Sequence, residues 1–466
     1  MSDHVQSPAS ELTQLLDIEA LKGWLERQRW YASKSRRVSN IEISESIVLS
    51  DAPMLVVALA QAIFATGQHE LYQLPFGFRP AGESSEVEAI ATTDGWSVYD
   101  ALADPGHARE LLRRMDAGDE LDTGEGSLRF RPAEGRLRVP EHAVVRPIGL
   151  EQTNTSLVFG SDLVLKVFRK LEPGINPELE MLRFLTAREF PHIAPLRGWY
   201  EYEGRAFAAT LGVAQTFLPE ATDGWELALD RIAAEPEAFL RLLGSLGTVT
   251  AEMHSVLASD SSDSAFVPEE PSNEALALLT ATIDEEIERI FVRLPDDERL
   301  APIAGRGQDV RERLAARSQL GAGGRVIRTH GDYHLGQTLY TSRGWVIIDF
   351  EGEPARPLPG RRQKRSPLRD VASMLRSFAY VTSALEIQRG RSAPADFEQR
   401  ARDTFLDHYF DAVESSLLPG GEAGVVNLLS IFELEKAIYE LQYELDHRPD
   451  WVTIPVAGIV RMLESS

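Results

Sequence analysis

The chain has 466 residues, enough for two or three domains, and its 43% hydrophobic and 26% charged content is that of an ordinary globular protein. It has no cysteine, which excludes a disulfide framework and thiolate chemistry. A net charge of −24 argues against nucleic acid or an anionic membrane as partner, and with neither a signal-like start nor a bilayer-length apolar run the expected location is cytoplasmic.

In chain order, residues 10–30 predict a helix, with Leu12, Leu15, Leu16, Leu21 and Leu25 near helical spacing. Strand-like runs follow at 41–50, 54–65 and 70–74, then a short helix over 108–115. The acidic, glycine-rich stretch 116–127 reads as a joint between subdomains. Strands are expected at 144–148, 156–159 and 163–168, a helix over 177–188, and strands again at 199–202 and 206–217. After Pro219 helices dominate, over 225–233, 237–257, 273–294 and 308–320, and then over 367–387, 395–415, 425–446 and 457–463. The fold class is therefore α+β: two small β-rich pieces, 1–127 and 128–218, and a large helical lobe, 219–466.

Between the two helical groups, residues 328–354 read RTHGDYHLGQTLYTSRGWVIIDFEGEP. Protein kinases carry H-R-D-x-x-x-x-N followed by D-F-G, in which the first Asp engages the acceptor hydroxyl and the Asn and second Asp hold metal. Here Gln337 stands at the Asn position after Asp332, and Asp349-Phe350-Glu351-Gly352 has one residue inserted before the glycine. The spacing points to phosphoryl transfer onto a hydroxyl, with Asp332 as base and with Asp349 and the Gln337 carbonyl as ligands for Mg²⁺, which prefers a few hard oxygens. Glu351 is either a further ligand or a surface carboxylate. His334 has no zinc-spaced partners and is assigned to hydrogen bonding.

Lys166 alternates within the apolar run 163–168, an unusual place for an unpaired lysine. It is expected to reach the ATP phosphates, held by Glu180 on the next helix, with Glu178 as second choice. Asn154, Thr155 and Ser156 stand where a glycine-rich phosphate loop would lie, without its glycines. Asp370, just after Pro367, either stabilises a helix start or anchors the catalytic loop by accepting backbone N–H bonds. Arg356, Arg361, Arg362, Lys364 and Arg365 make a basic loop that either faces phosphate or is solvated. Late in the chain Lys436, Tyr439, Glu440, Tyr443 and His447 fall on one helix face, with Glu444 beside them and Trp451 just beyond; alternating charged and aromatic groups suit a sugar.

Taken together, the strings HGDYHLGQ, IDFEGEPARPL, SPLRDVASMLRSF, EQTNTSLVFG with LVLKVFR, TDGWELAL, YELDHRPDW and QRWYASKSR resemble the maltokinases, of the aminoglycoside-phosphotransferase-like kinase group, over nearly the whole chain. The resemblance implies a bilobal protein-kinase-like fold with an N-terminal cap, an intermediate β-rich subdomain that binds ATP, and a helical C-lobe. It implies ATP- and Mg²⁺-dependent phosphorylation of maltose at its anomeric hydroxyl, for α-glucan synthesis. The base then falls on Asp332, the metal ligands on Gln337 and Asp349, the phosphate lysine on Lys166, and the adenine hinge near Gln215 and Phe217. The sugar pocket falls around the 436–451 stripe with His334. The resemblance also suggests a trehalose synthase as protein partner, with the chain itself a monomer or homodimer. The rival readings are a kinase of glucosamine or an aminoglycoside on the same fold, and a non-catalytic ATP-binding regulator.

Overall fold

The first helix of the computed structural model, α1 (Ile18–Arg27), is opened by Asp17, whose carboxylate accepts the Glu19 and Ala20 N–H groups. The structure describes residues 16–464 apart from 94, 134–136, 140–141, 149–152 and 319–322, so the part of the predicted helix at 10–15 lies outside the described residues. The chain divides into two compact units, residues 1–187 with 194–219, and residues 188–193 with 220–466.

In the first unit, β1 (Val38–Asp51), β2 (Met54–Phe64), β3 (His69–Pro80), β4 (Ala89–Thr93) and β5 (Trp96–Asp100) form an antiparallel sheet in the order β1-β2-β3-β5-β4. Trp24, Trp30, Tyr31, Tyr72 and Phe76 share its core. Helix α2 (Pro105–Ala117) leads to a second sheet, β6-β7-β12-β13-β10-β9-β8 in spatial order. Its strands are β6 (Glu120–Asp122), β7 (Gly126–Pro132), β8 (Val145–Pro147), β9 (Asn154–Phe159), β10 (Leu163–Phe168), β12 (Leu196–Gly204) and β13 (Ala208–Thr216). Strand β11 (Lys170–Leu171) pairs back onto β3 and is followed by α3 (Pro177–Ala187).

One expectation changes here. The stretch read as a joint carries β6 and the start of β7, so the boundary expected at 127/128 falls inside a strand. The two sheets are also tied by a buried side chain: Gln73 Nε2 donates to Phe168 O at 3.0 Å and Leu211 O at 2.8 Å, and its Oε1 accepts the Tyr200 hydroxyl at 2.8 Å. A buried amide with these partners costs little to bury, and removing it would orphan two carbonyls and a phenol.

The second unit starts with β14 (Thr222–Asp223), α4 (Gly224–Arg231), α5 (Pro236–Leu257), α6 (Asn273–Phe291) and α7 (Gly307–Ser318). The hairpin β15 (Thr338–Thr341) and β16 (Gly344–Ile347) follows, then α8 (Leu358–Arg361), α9 (Leu368–Arg389), α10 (Phe397–Ala412), α11 (Glu422–His447) and α12 (Thr453–Glu464). Asp223 caps α4 by accepting the Trp225 and Glu226 N–H groups. Apolar faces of α6, α7, α11 and α12 make one core, which includes Ile287, Val310, Ile438 and Ile459. Among the described residues no helix is long and apolar enough to cross a membrane.

Candidate active site

The hairpin brings together residues twelve positions apart. Thr338 pairs with Ile347, and Ile348 N–H donates to Gln337 O at 3.0 Å, so Gln337 and Asp349 leave the hairpin side by side. Gln337 Nε2 donates to Asp349 Oδ2 at 3.2 Å. Each side chain carries oxygen atoms of the hard kind that Mg²⁺ prefers. Asp349 has φ +62°, a left-handed backbone that costs a non-glycine residue about 1 kcal/mol or more. Strain of this kind clusters where a side chain must be aimed.

The loop before the hairpin is fixed by Asp370, at the start of α9 and only 1% exposed. Its Oδ2 accepts His330 N–H at 2.8 Å, its Oδ1 accepts Gly331 N–H at 3.0 Å, and His254 Nε2 donates to Oδ2 at 3.2 Å. Of the two roles open to Asp370, the structure shows the anchoring one. Burial pushes its pKa up, but His254, His330 and the Gly331 N–H outweigh burial and hold the carboxyl below its ordinary value. His254 Nδ1 meets the Tyr409 hydroxyl at 3.0 Å, which fixes the ring from its other side. His330 Nε2 donates to Ile348 O at 2.9 Å and its ring packs on Phe350, with centroids 4.9 Å apart. Gly331 has φ +86°, and a Cβ there would lie 3.3 Å from Gly352 Cα, so glycine permits the close approach of the 330–332 and 349–352 loops.

Asp332 is half-buried, and Lys436 Nζ on α11 lies 3.3 Å from its Oδ1. Burial works against the charge on Lys436, but Asp332, then Glu440 and Glu353, raise its pKa overall, so it remains a cation beside the proposed base. His334 Nδ1 accepts the Gly336 N–H at 3.1 Å, while its Nε2 stands 3.9 Å from Asp332 Oδ2. Burial is the largest influence on His334 and lowers its pKa, favouring the neutral ring.

The stripe on α11 divides. Tyr439, Tyr443 and His447 stack in sequence, with ring centroids 6.5 and 4.5 Å apart, and Tyr443 is 40% exposed. Trp451 stacks on Tyr380 at 6.4 Å, with the Arg448 guanidinium 4.9 Å from the indole ring. Glu440 and Glu444, expected among the sugar contacts, are instead buried in the protein's own bonds. Arg376 donates twice to Glu440 Oε2, at 3.0 and 2.7 Å, and Glu444 accepts the Tyr380 hydroxyl at 3.1 Å and Arg448 at 2.7 and 2.9 Å.

In the first unit, Lys166 faces α3 from β10, and its Nζ lies 2.7 Å from Glu178 Oε2. This pairs Lys166 with Glu178, the second choice of the sequence. Asn154, Thr155 and Ser156 are not a loop: they open β9, opposite Phe168, Val167 and Lys166 of β10. Asn154 and Ser156 are buried, and the Thr155 hydroxyl accepts Arg169 Nε at 2.8 Å. Gln215 Nε2 donates to Ala194 O at 3.0 Å, and Phe217 N–H donates to Asp162 O at 2.9 Å, so the expected hinge has a bonded backbone and a bonded amide. Sequence reasoning missed His254 and Arg376. A lone histidine in an apolar helix and an arginine in a helix rich in buried positions carry no local signal of the carboxylates they meet.

The Phosphotransferase enzyme family matches residues 144–378, and the Maltokinase N-terminal cap domain matches residues 24–104. A kinase-like phosphotransferase fold with an N-terminal cap is therefore the class, and the chain belongs to the Phosphotransferase enzyme family. Among curated proteins it is 29% identical to a glucosamine kinase of Mycolicibacterium smegmatis over 336 residues, 68% of this chain and 79% of that protein. It is 27% identical to a glucosamine kinase of Streptacidiphilus jiangxiensis over 426 residues, 82% of this chain and 94% of that protein. A solved glucosamine kinase in complex with glucosamine, ADP and inorganic phosphate superposes with a TM-score of 0.70 at 21% identity, covering 94% of this chain and 98% of the other, a likeness of fold alone.

Proposed function

We propose that the protein is an ATP-dependent sugar kinase whose acceptor is maltose, phosphorylated at the anomeric hydroxyl to give maltose 1-phosphate. The observation that carries the reading is Asp332: a carboxylate on a loop clamped by Asp370, paired with Lys436 at 3.3 Å, on the helix that presents stacked Tyr439 and Tyr443. The acceptor oxygen attacks the γ-phosphorus, the bond to the β-phosphate oxygen breaks, ADP leaves, and the acceptor's proton passes to Asp332. Lys436 holds that carboxylate in place, and the aromatic rings offer an apolar platform for a sugar face. Lys166, held by Glu178, would contact the nucleotide phosphates.

The Gln337 side chain and the Asp349 carboxylate fit Mg²⁺ by the chemistry of their oxygens, and Glu351 places a carboxylate oxygen within 4.8 Å of one from Asp349. The ion would supply charge neutralisation on the β- and γ-phosphate oxygens.

Maltose is preferred on the strings shared with maltokinases and on the matched cap domain. Glucosamine is the second reading, favoured by the names of the curated relatives. ³¹P NMR of the protein with ATP, Mg²⁺ and, separately, maltose, glucose and glucosamine decides between them. A new anomeric phosphate signal with maltose alone is the expected result. Phosphate on glucosamine instead reassigns the acceptor, and no transfer to any of the three sinks the sugar-kinase reading.

A further inference from the structure

Lys436 has three carboxylates to choose from: burial aside, the anions acting on its charge are Asp332, then Glu440 and Glu353. Glu440 stands one helical turn further along α11, the spacing at which a lysine and a glutamate ordinarily pair. Yet Lys436 Nζ makes its ion pair with Asp332, at 3.3 Å, and among the described residues it makes none with either glutamate. Both glutamates are already held by arginines. Arg376 on α9 sends Nε and Nη2 to Glu440 Oε2, at 3.0 and 2.7 Å, and Arg356 Nε donates to Glu353 Oε2 at 2.7 Å. Arg376 is 3% exposed and Glu440 7%, so water does not substitute for either partner. Gly458 on α12 leaves room for the guanidinium, since a Cβ there would collide with Arg376 Nη1. Take Arg376 away, and Glu440 becomes a buried anion in need of a cation. Lys436, on its flexible four-carbon stem and one turn away, is placed to supply it.

We propose that Arg376 is a positioning residue for phosphoryl transfer: by occupying Glu440 it leaves Lys436 to Asp332. Without it Lys436 turns to Glu440, and Asp332 loses the cation that holds it. The effect on turnover rests on Asp332 as the base; the choice of partner for Lys436 does not. Arg376 touches neither substrate nor nucleotide in this role and acts only through Glu440 and Lys436.

The test is steady-state turnover of the full chain with ATP, Mg²⁺ and whichever of maltose and glucosamine it phosphorylates, well below the melting transition of each variant. Arg376→Gln should lower kcat about tenfold with the KM for ATP unchanged, and Arg376→Lys, which still offers Glu440 a cation, should lose about threefold at most. Arg376→Gln combined with Glu440→Gln removes the rival carboxylate and should return kcat to within about threefold of wild type. In a Lys436→Met background there is no lysine to divert, so adding Arg376→Gln should change kcat by less than about twofold. An arginine with a merely structural role would cost the same in both backgrounds, and that result overturns the proposal. Should Arg376→Gln fail to fold, Gly458→Ala, which crowds the guanidinium off its place, takes its part in the same cycle with Lys436→Met. Unchanged kcat also overturns the proposal, and a crystal structure of the variant then locates the fault. Lys436 moved to Glu440 places it in the role given to Asp332, and Lys436 still on Asp332 places it in the role given to Arg376.

Discussion

Replacing Asp370 by alanine removes one side chain and orphans three donors: the His330 and Gly331 N–H groups and His254 Nε2. The site is nearly fully buried, so water does not easily replace the carboxylate. Breaking such a buried, charge-assisted cluster costs about 3–5 kcal/mol. At about 2–4 °C per kcal/mol for a domain of roughly 250 residues, the melting transition should fall by on the order of 10 °C. Activity should fall further than stability explains, because the same bonds set where Asp332 stands, and a misplacement of about 1 Å can cost ~10²-fold in rate. Differential scanning calorimetry and steady-state turnover well below the new transition measure the two effects separately. A pH series adds a sign. The Asp370 carboxyl is held below its ordinary value, so its contribution is fully present above the unfolded pKa of about 3.9 and is lost as pH falls through the lower folded value. Wild type and Asp370→Ala should therefore converge in stability only in acid, below about pH 4. A variant that melts within about 2 °C of wild type at neutral pH and turns over within twofold would refute the clamp, since the expected loss is several kcal/mol.

Asp332→Asn should cut turnover by ~10²–10⁴-fold, the usual worth of a positioned base, while isothermal titration shows ATP affinity unchanged; wild-type-like turnover would remove Asp332 as the base. Glu178→Ala should raise the KM for ATP by about tenfold, in line with a lost buried ion pair to Lys166, whereas Glu180→Ala should leave it nearly unchanged; a larger effect at Glu180 would reverse the pairing. Asp349→Ala should abolish the Mg²⁺ dependence of nucleotide affinity, read by titrating ATP with and without EDTA, and an unchanged Mg²⁺ dependence would count against it as a ligand.

What the sequence conveyed and what it withheld follow from where each interaction's partner lies in the chain. Asp332, Gln337 and Asp349 lie in one short segment, and a hairpin is enough to bring the last two together, so their juxtaposition was legible locally. Glu178 and Glu180 are two residues apart on α3, about 200° around the helix, and the choice between them depends on how α3 lies against β10. No local pattern contains that angle. Asn154 and Thr155 stand where a phosphate loop would lie, yet with Ser156 they pair residue by residue with β10, and tertiary pairing overrides their weak strand preference. The acidic stretch at 116–127 was misread for the same reason: Glu120, Leu121 and Asp122 gain their strand from pairing with Arg129, Leu128 and Ser127.

The α11 stripe shows most directly how a correct periodicity can lead to a wrong assignment. Lys436, Glu440 and Glu444 recur every four residues, and the spacing alone does not say which solvent or partner that row meets. In the structure this row supplies charge inward, Lys436 to Asp332, Glu440 to Arg376, and Glu444 to Tyr380 and Arg448. The adjoining row, Tyr439, Tyr443 and His447, stays partly or fully exposed. A polar residue inside an amphipathic helix is expected to be solvated unless a countercharge waits for it, and the countercharges of Lys436 and Glu440, Asp332 and Arg376, lie far away in sequence on other elements. The division has a functional consequence. The charged row cannot adapt to an acceptor without breaking buried pairs, so tolerance for different sugars should reside in the aromatic row, where a ring can change its contacts at little cost.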